Sequence, residues 1–122
     1  MGASLAATLL PAALVRAEAA YDFYLTRLSY ESGDWDVDER APSNIVNALI
    51  EYTTLRVDRS ERVIALADPA MLASPFCYLA GRRLLRFNHA ERQNFEIYVR
   101  SGGFVFVDDC NHDIDGLFAE SF

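Results

Sequence analysis

The stretch Gly102-Gly103-Phe104-Val105-Phe106-Val107-Asp108-Asp109-Cys110-Asn111-His112-Asp113-Ile114-Asp115-Gly116 decides how this chain reads. Its first part is a short Val/Phe run behind two glycines, and such a run predicts a buried strand. The run stops abruptly at carboxylates, a thiol, an amide and an imidazole, all within one loop. In open α/β folds, ligands collect where strands end at their carboxyl side. The stretch therefore predicts that Phe104 to Val107 lies in the sheet interior and delivers an acidic cluster to the ligand-facing rim.

The segments before it supply the rest of such a sheet. Asn88-His89-Ala90-Glu91 fits a capping box that opens a helix. That helix carries Phe95, Tyr98 and Val99 on one face and closes at Ser101-Gly102-Gly103. Pro75 to Gly81 and Arg62 to Asp68 are short apolar runs, the second with a hard stop at Asp68-Pro69, and both predict buried strands. Pro42 and Ser43 open a helix in which Ile45, Val46, Leu49, Ile50 and Thr53 recur at helical spacing. Tyr21 to Tyr30, aromatic and partly alternating, predicts the first strand, and Ser32 to Asp36 a turn. The charged segment Val57 to Glu61 is expected to be exposed. Strands alternating with helices imply an α/β fold, an open parallel sheet with helices on both faces. Leu117 to Phe122 resembles the opening of a further helix. Four strands and two full helices make an unfinished doubly wound domain, so residues 21–122 are expected to be the N-terminal part of a single α/β domain.

At 122 residues the chain has room for one domain, and 52% hydrophobic residues suit a core former. The net charge is -7, and every basic residue apart from histidine is an arginine. Acidic residues crowd Glu31 to Glu39 and Asp108 to Asp115, a surface that repels phosphate backbones, so nucleic acid is not an expected partner. The cluster Arg82-Arg83-Leu84-Leu85-Arg86 is too short to reverse that and reads as a solvated edge. Residues 1–20 read as a signal peptide. Ala3 to Val15 is almost wholly apolar but shorter than the roughly 20 residues of a spanning helix, and Ala17-Glu18-Ala19 has a small-x-small cleavage form. Export to the periplasm or envelope is expected, with no transmembrane helix in the mature chain. Cys77 and Cys110 are expected to be free thiols, Cys77 as a small core residue.

At this point the chain resembles a known family. The pieces are Arg27-Leu28-Ser29-Tyr30 with Gly33-Asp34-Trp35, then Pro75-Phe76, Tyr78-Leu79 and Gly81. Tyr98 to Phe104 and Asp108-Asp109-Cys110 complete them. Together they resemble the bacterial domain-of-unknown-function family 4159, placed among class I glutamine amidotransferase-like, flavodoxin-type folds. The resemblance implies that fold, a further C-terminal part, and frequent export or membrane attachment. It implies no established reaction. Related amidotransferases hold a nucleophilic cysteine on a tight elbow between small residues, and Cys110, with Asp108 and His112 two residues to either side, does not fit that pattern.

Three chemistries compete for the acidic loop. As catalytic candidates, Asp108, Asp109, Cys110 and His112 would give a hydrolase-like enzyme with His112 as base, although the neighbouring aspartates oppose a thiolate. As metal ligands, Asp109, Asn111, Asp113 and Asp115, with Glu120, fall at calcium-loop spacing. Ile114, however, stands where the sharp turn needs glycine, which leaves a looser divalent-metal site with His112 as an optional ligand. As a binding pocket, Asp68, Asp108 and Asp109 end predicted strands, with Arg27, Asp34 and Trp35 along the same edge. The plain alternatives are a helix cap for Asp113 or Asp115, a core anchor for Trp35, and solvation for the remaining acids. His89 is expected to be exposed. The expectation is a ligand- or partner-binding domain, for an unknown small molecule or an envelope protein. A hydrolase-like enzyme, with or without a divalent metal, is the alternative.

Overall fold

The computed structural model describes residues 20–111 and 116–121. The leader expected over residues 1–20, apart from Ala20, lies outside the described residues. So do His112, Asp113 and Asp115. The elements run β1 (Thr26–Ser29), α1 (Ala41–Tyr52), β2 (Arg62–Ala65), a 3-10 turn (Pro69–Ala73), β3 (Cys77–Gly81), α2 (His89–Arg100), β4 (Val105–Asp109) and α3 (Leu117–Glu120). All strand pairs are parallel, in the order β2-β1-β3-β4. The chain steps outward from β1 to β2, then crosses back to place β3 on the other side of β1. That reversal is the topological switch point of the sheet.

Side-chain alternation along the strands sorts the core into two layers. Leu28, Leu66, Met71, Cys77, Leu79, Tyr98 and Phe118 form the layer that includes α2. Leu25, Val46, Val57, Tyr78 and Ala80 form the layer that includes α1. The expected α/β arrangement, an open parallel sheet with helices on both faces, is therefore the one found. The central strand β3 is buried at every position, and each fully buried leucine-sized side chain there contributes about 1.5–3 kcal/mol relative to exposure.

The helix caps show how local chemistry fixes the ends. The Asn88 side chain accepts from the Glu91 N–H at 2.9 Å, and the Glu91 carboxylate accepts from the Asn88 N–H at 2.9 Å. This is the reciprocal capping box read from the sequence. At the other end Gly102 takes φ +89°, a left-handed conformation that favours glycine. Helix α1 has Pro42 in its first turn, where a missing N–H costs nothing. Its start is held by Asp38, whose Oδ1 accepts from the N–H groups of Arg40 and Ala41 at 3.1 and 3.0 Å.

Four expectations need correction. Strand β2 is an edge strand, with Val63 48% exposed. Among the described residues Phe104 to Val107 does not lie in the sheet interior: β4 stands there at the opposite edge, and Phe104, Phe106 and Val107 are all exposed. A continuous apolar run marks a strand covered on both faces, but it does not say whether a neighbour lies on both sides. Val57 and Asp58 are buried, because Phe23 and Val57 extend the β1–β2 pairing through a parallel bridge. The Asp58 carboxylate accepts from the Ser60 N–H and from Arg62, each at 2.9 Å, and these bonds hold its pKa down. Val99 is exposed, since the inward stripe of α2 runs through Glu91, Phe95 and Tyr98.

Candidate rim site

The loops after β1, β3 and β4 all emerge at the carboxyl edge of the sheet, on either side of the switch point. Between them lies a cleft of about 320 Å³ lined by Val37, Asp38, Arg82, Asp108, Asp109 and Cys110. Each loop contributes, so the cleft is a product of topology and not of one sequence segment. Asp34 joins two of the loops, its Oδ1 accepting from the Arg82 N–H at 3.2 Å.

Side-chain alternation on β4 puts Phe106, Asp108 and Cys110 on the α1 side of the sheet. There the buried Tyr78 hydroxyl donates to Asp108 Oδ2 at 2.7 Å. Burial, and then the Asp108 carboxylate, push the Tyr78 pKa up, so the phenol stays a donor. Tyr78 thus fixes one oxygen of Asp108, as the start of α1 fixes one oxygen of Asp38. The ligand atoms of Asp38, Asp108 and Cys110 all lie within 4.8 Å of one another, and each residue is half-buried. Burial, then the carboxylates of Asp108 and Asp38, raise the Cys110 thiol pKa, against a smaller opposing pull from Arg82.

That environment makes a testable statement about reactivity. At pH 8, iodoacetamide should alkylate Cys110 in the folded chain more slowly than free cysteine, and Asp108→Asn should speed the reaction. A Cys110 rate above that of free cysteine would reverse this electrostatic reading. Cys77 is buried with its own thiol pKa raised by burial, and neither cysteine is in a disulfide.

The expected site residues divide clearly. Asp108, Asp109 and Cys110 line the cleft together, and Asp34 braces it. Asp109 Oδ1 accepts from the Asn111 N–H at 2.9 Å, so part of this pair is spent on the loop's own backbone. Asp68 is elsewhere, capping the 3-10 turn through a 2.8 Å bond from the Ala70 N–H. Arg27 is buried beneath the rim and does not line the cleft. Its guanidinium lies 5.5 Å from the Trp35 ring centroid and donates to the Asp38 carbonyl at 2.9 Å and to Glu61 at 3.3 Å. Arg27 and Trp35 therefore support the loop that presents Asp38. Glu120 lies exposed on α3, and His89 is exposed as expected. His112, Asp113 and Asp115 lie outside the described residues.

Sequence reading missed Asp38, Tyr78 and Arg82. Asp38 carried a signal, standing three residues before Ala41-Pro42 as a capping acid would. Tyr78 and Arg82 carried none, because only the strand order brings β3 beside β4.

Four parallel strands with a switch-point cleft at their carboxyl ends define an α/β domain of the flavodoxin-like class. The family described as Domain of unknown function (DUF4159) matches residues 24–122, and this chain belongs to it. None of the curated proteins compared with the chain matches it.

Proposed function

We infer that this domain binds a cationic ligand, a divalent metal ion foremost, in the rim cleft. The observation that carries this reading is the approach of Asp38, Asp108 and Cys110 within 4.8 Å of one another at the position where open α/β sheets gather ligands. Three carboxylates face one guanidinium across the cleft, so its field favours a positive guest. Asp38 Oδ1 and Asp108 Oδ2 are already held by hydrogen bonds. That leaves the second oxygen of each carboxylate to turn toward the ion. Two carboxylate oxygens and a sulfur suit zinc or cobalt better than calcium or magnesium, which prefer all-oxygen shells.

This ligand set replaces the calcium-loop spacing as the basis of a metal reading. An ion would also convert the thiol of Cys110 to thiolate, reversing the effect of its acidic neighbours. The glutamine amidotransferase-like architecture belongs to the same proposal, supported by the strand order and by the resemblance. Cys110 would serve there as a ligand and not as a nucleophile, because burial and two carboxylates disfavour its free thiolate. A hydrolase-like activity would draw on the same ion to activate water.

Zinc titration followed by calorimetry tests the reading. One site per chain is expected, with binding weakened at least about 100-fold in Asp108→Ala and in Cys110→Ser. Retained far-UV circular dichroism in both variants would show that the fold is not what was lost. Wild-type protein that takes up no zinc, or variants that bind it unchanged, would refute the proposal.

A further inference from the structure

A second cavity lies on the β2 side of the sheet, where the start of α1 faces the loop that enters β2. It measures about 150 Å³ and shares no lining residue with the rim cleft. Every residue that lines it falls within residues 25–61, a stretch that is described throughout. Its floor is aliphatic: Leu25 is 2% exposed, and Pro42 and Val46 are buried in the first two turns of α1. Space of this size between aliphatic side chains admits a body as large as benzene.

The charges around that floor fall into two kinds. Glu61 is already neutralised, its carboxylate 3.3 Å from the guanidinium of Arg27, whose side chain is 5% exposed. Glu39 and Arg59 are not. Both line the cavity and are exposed to solvent. Among the described residues neither forms an ion pair, with the other or with any third group. They come from opposite walls, Glu39 from the segment that leads into α1 and Arg59 from the loop before β2. Asn47 adds an amide, both donor and acceptor, to the α1 wall. An apolar floor beneath one free carboxylate and one free guanidinium is complementary to a guest that carries both charges on an aliphatic body.

We propose that this cavity binds a free α-amino acid with a medium-sized aliphatic side chain. The ammonium group meets Glu39, the carboxylate meets Arg59, and the side chain lies against Leu25, Pro42 and Val46. Arginine suits the carboxylate because its planar fork donates two parallel hydrogen bonds. A simple amine would leave Arg59 facing an apolar body, and a simple acid would do the same to Glu39, so neither matches both walls. A peptide is too long, since its terminal charges stand at opposite ends of the chain. An amino acid holds them on one carbon.

Equilibrium dialysis of the 122-residue chain against L-leucine is the test, beside two probes that each lack one charge, 4-methylpentanoate and 3-methylbutylamine. L-Leucine is expected to bind at one site per chain with a Kd below about 1 mM. Each one-charge probe should bind at least about 10-fold more weakly, the worth of one charged hydrogen-bonding partner. Glu39→Gln and Arg59→Gln should each weaken L-leucine by a similar factor. Both side chains are exposed, so the far-UV circular dichroism of these variants should be unchanged. A Kd for L-leucine above about 1 mM, or a loss smaller than about 10-fold for either probe or either variant, would overturn the proposal.

Discussion

Replacing Gly81 by valine is expected to cost about 3 kcal/mol or more of folding stability, the upper end for overpacking a core. Gly81 ends the central strand β3 and is buried. A Cβ there would stand 2.5 Å from the Tyr30 hydroxyl and 2.6 Å from the Phe118 ring. Neither neighbour can easily give way. The Tyr30 hydroxyl donates to the Ala80 carbonyl at 2.8 Å inside the core, and Phe118 is fully buried. Valine adds two further methyl groups to that collision, and Gly81→Ala should therefore show a smaller loss of the same sign. With an m-value of about 1.5 kcal/mol/M in urea, the valine variant should lower the unfolding midpoint by about 2 M. A midpoint within about 0.3 M of wild type would mean that Tyr30 and Phe118 do not close over β3 as described.

Glu91→Ala is expected to cost about 3 kcal/mol, although no catalytic role is assigned to this residue. Glu91 is 1% exposed, unusual for a carboxylate. Its two oxygens accept from the Asn88 N–H and the Glu31 N–H, both at 2.9 Å. The first bond completes the helix cap. The second ties the loop after β1 to the start of α2, across the switch point. Alanine strands two part-buried donors, the Asn88 N–H of the capping box and the Glu31 N–H, at about 1–3 kcal/mol each, less what solvent recovers. Glu91→Gln should restore about half of the loss, because its single carbonyl oxygen can accept at one position only. Thermal unfolding of the three proteins checks this order. Equal stability of the glutamine and alanine variants would contradict it.

The α/β alternation was legible in the sequence because each element carried its own signal. The capping box at Asn88 and Glu91, proline in the first turn of α1 and the glycine stop after α2 are local chemistry. What lay beyond reach was lateral position. The run Phe104 to Val107 has the composition of a buried strand, yet its order in the sheet depends on crossovers that no local pattern encodes. The buried stripe of α2 shifted for a related reason: Glu91 turns inward to satisfy backbone donors, and polarity alone would have placed it outside. For the site, Asp108, Asp109 and Cys110 could be found as a cluster at the end of one strand. Their partners could not, since Asp38 lies 70 positions before Asp108 in the numbering and reaches it only across the switch point.

Cobalt titration of the reduced 122-residue chain, followed by absorption spectroscopy, tests the central claim most directly. Asp38, Asp108 and Cys110 acting together on one ion predict a thiolate-to-cobalt charge-transfer band that saturates at one equivalent and disappears in Cys110→Ser. Cobalt that gives no such band, or a band that survives that substitution, would contradict the account.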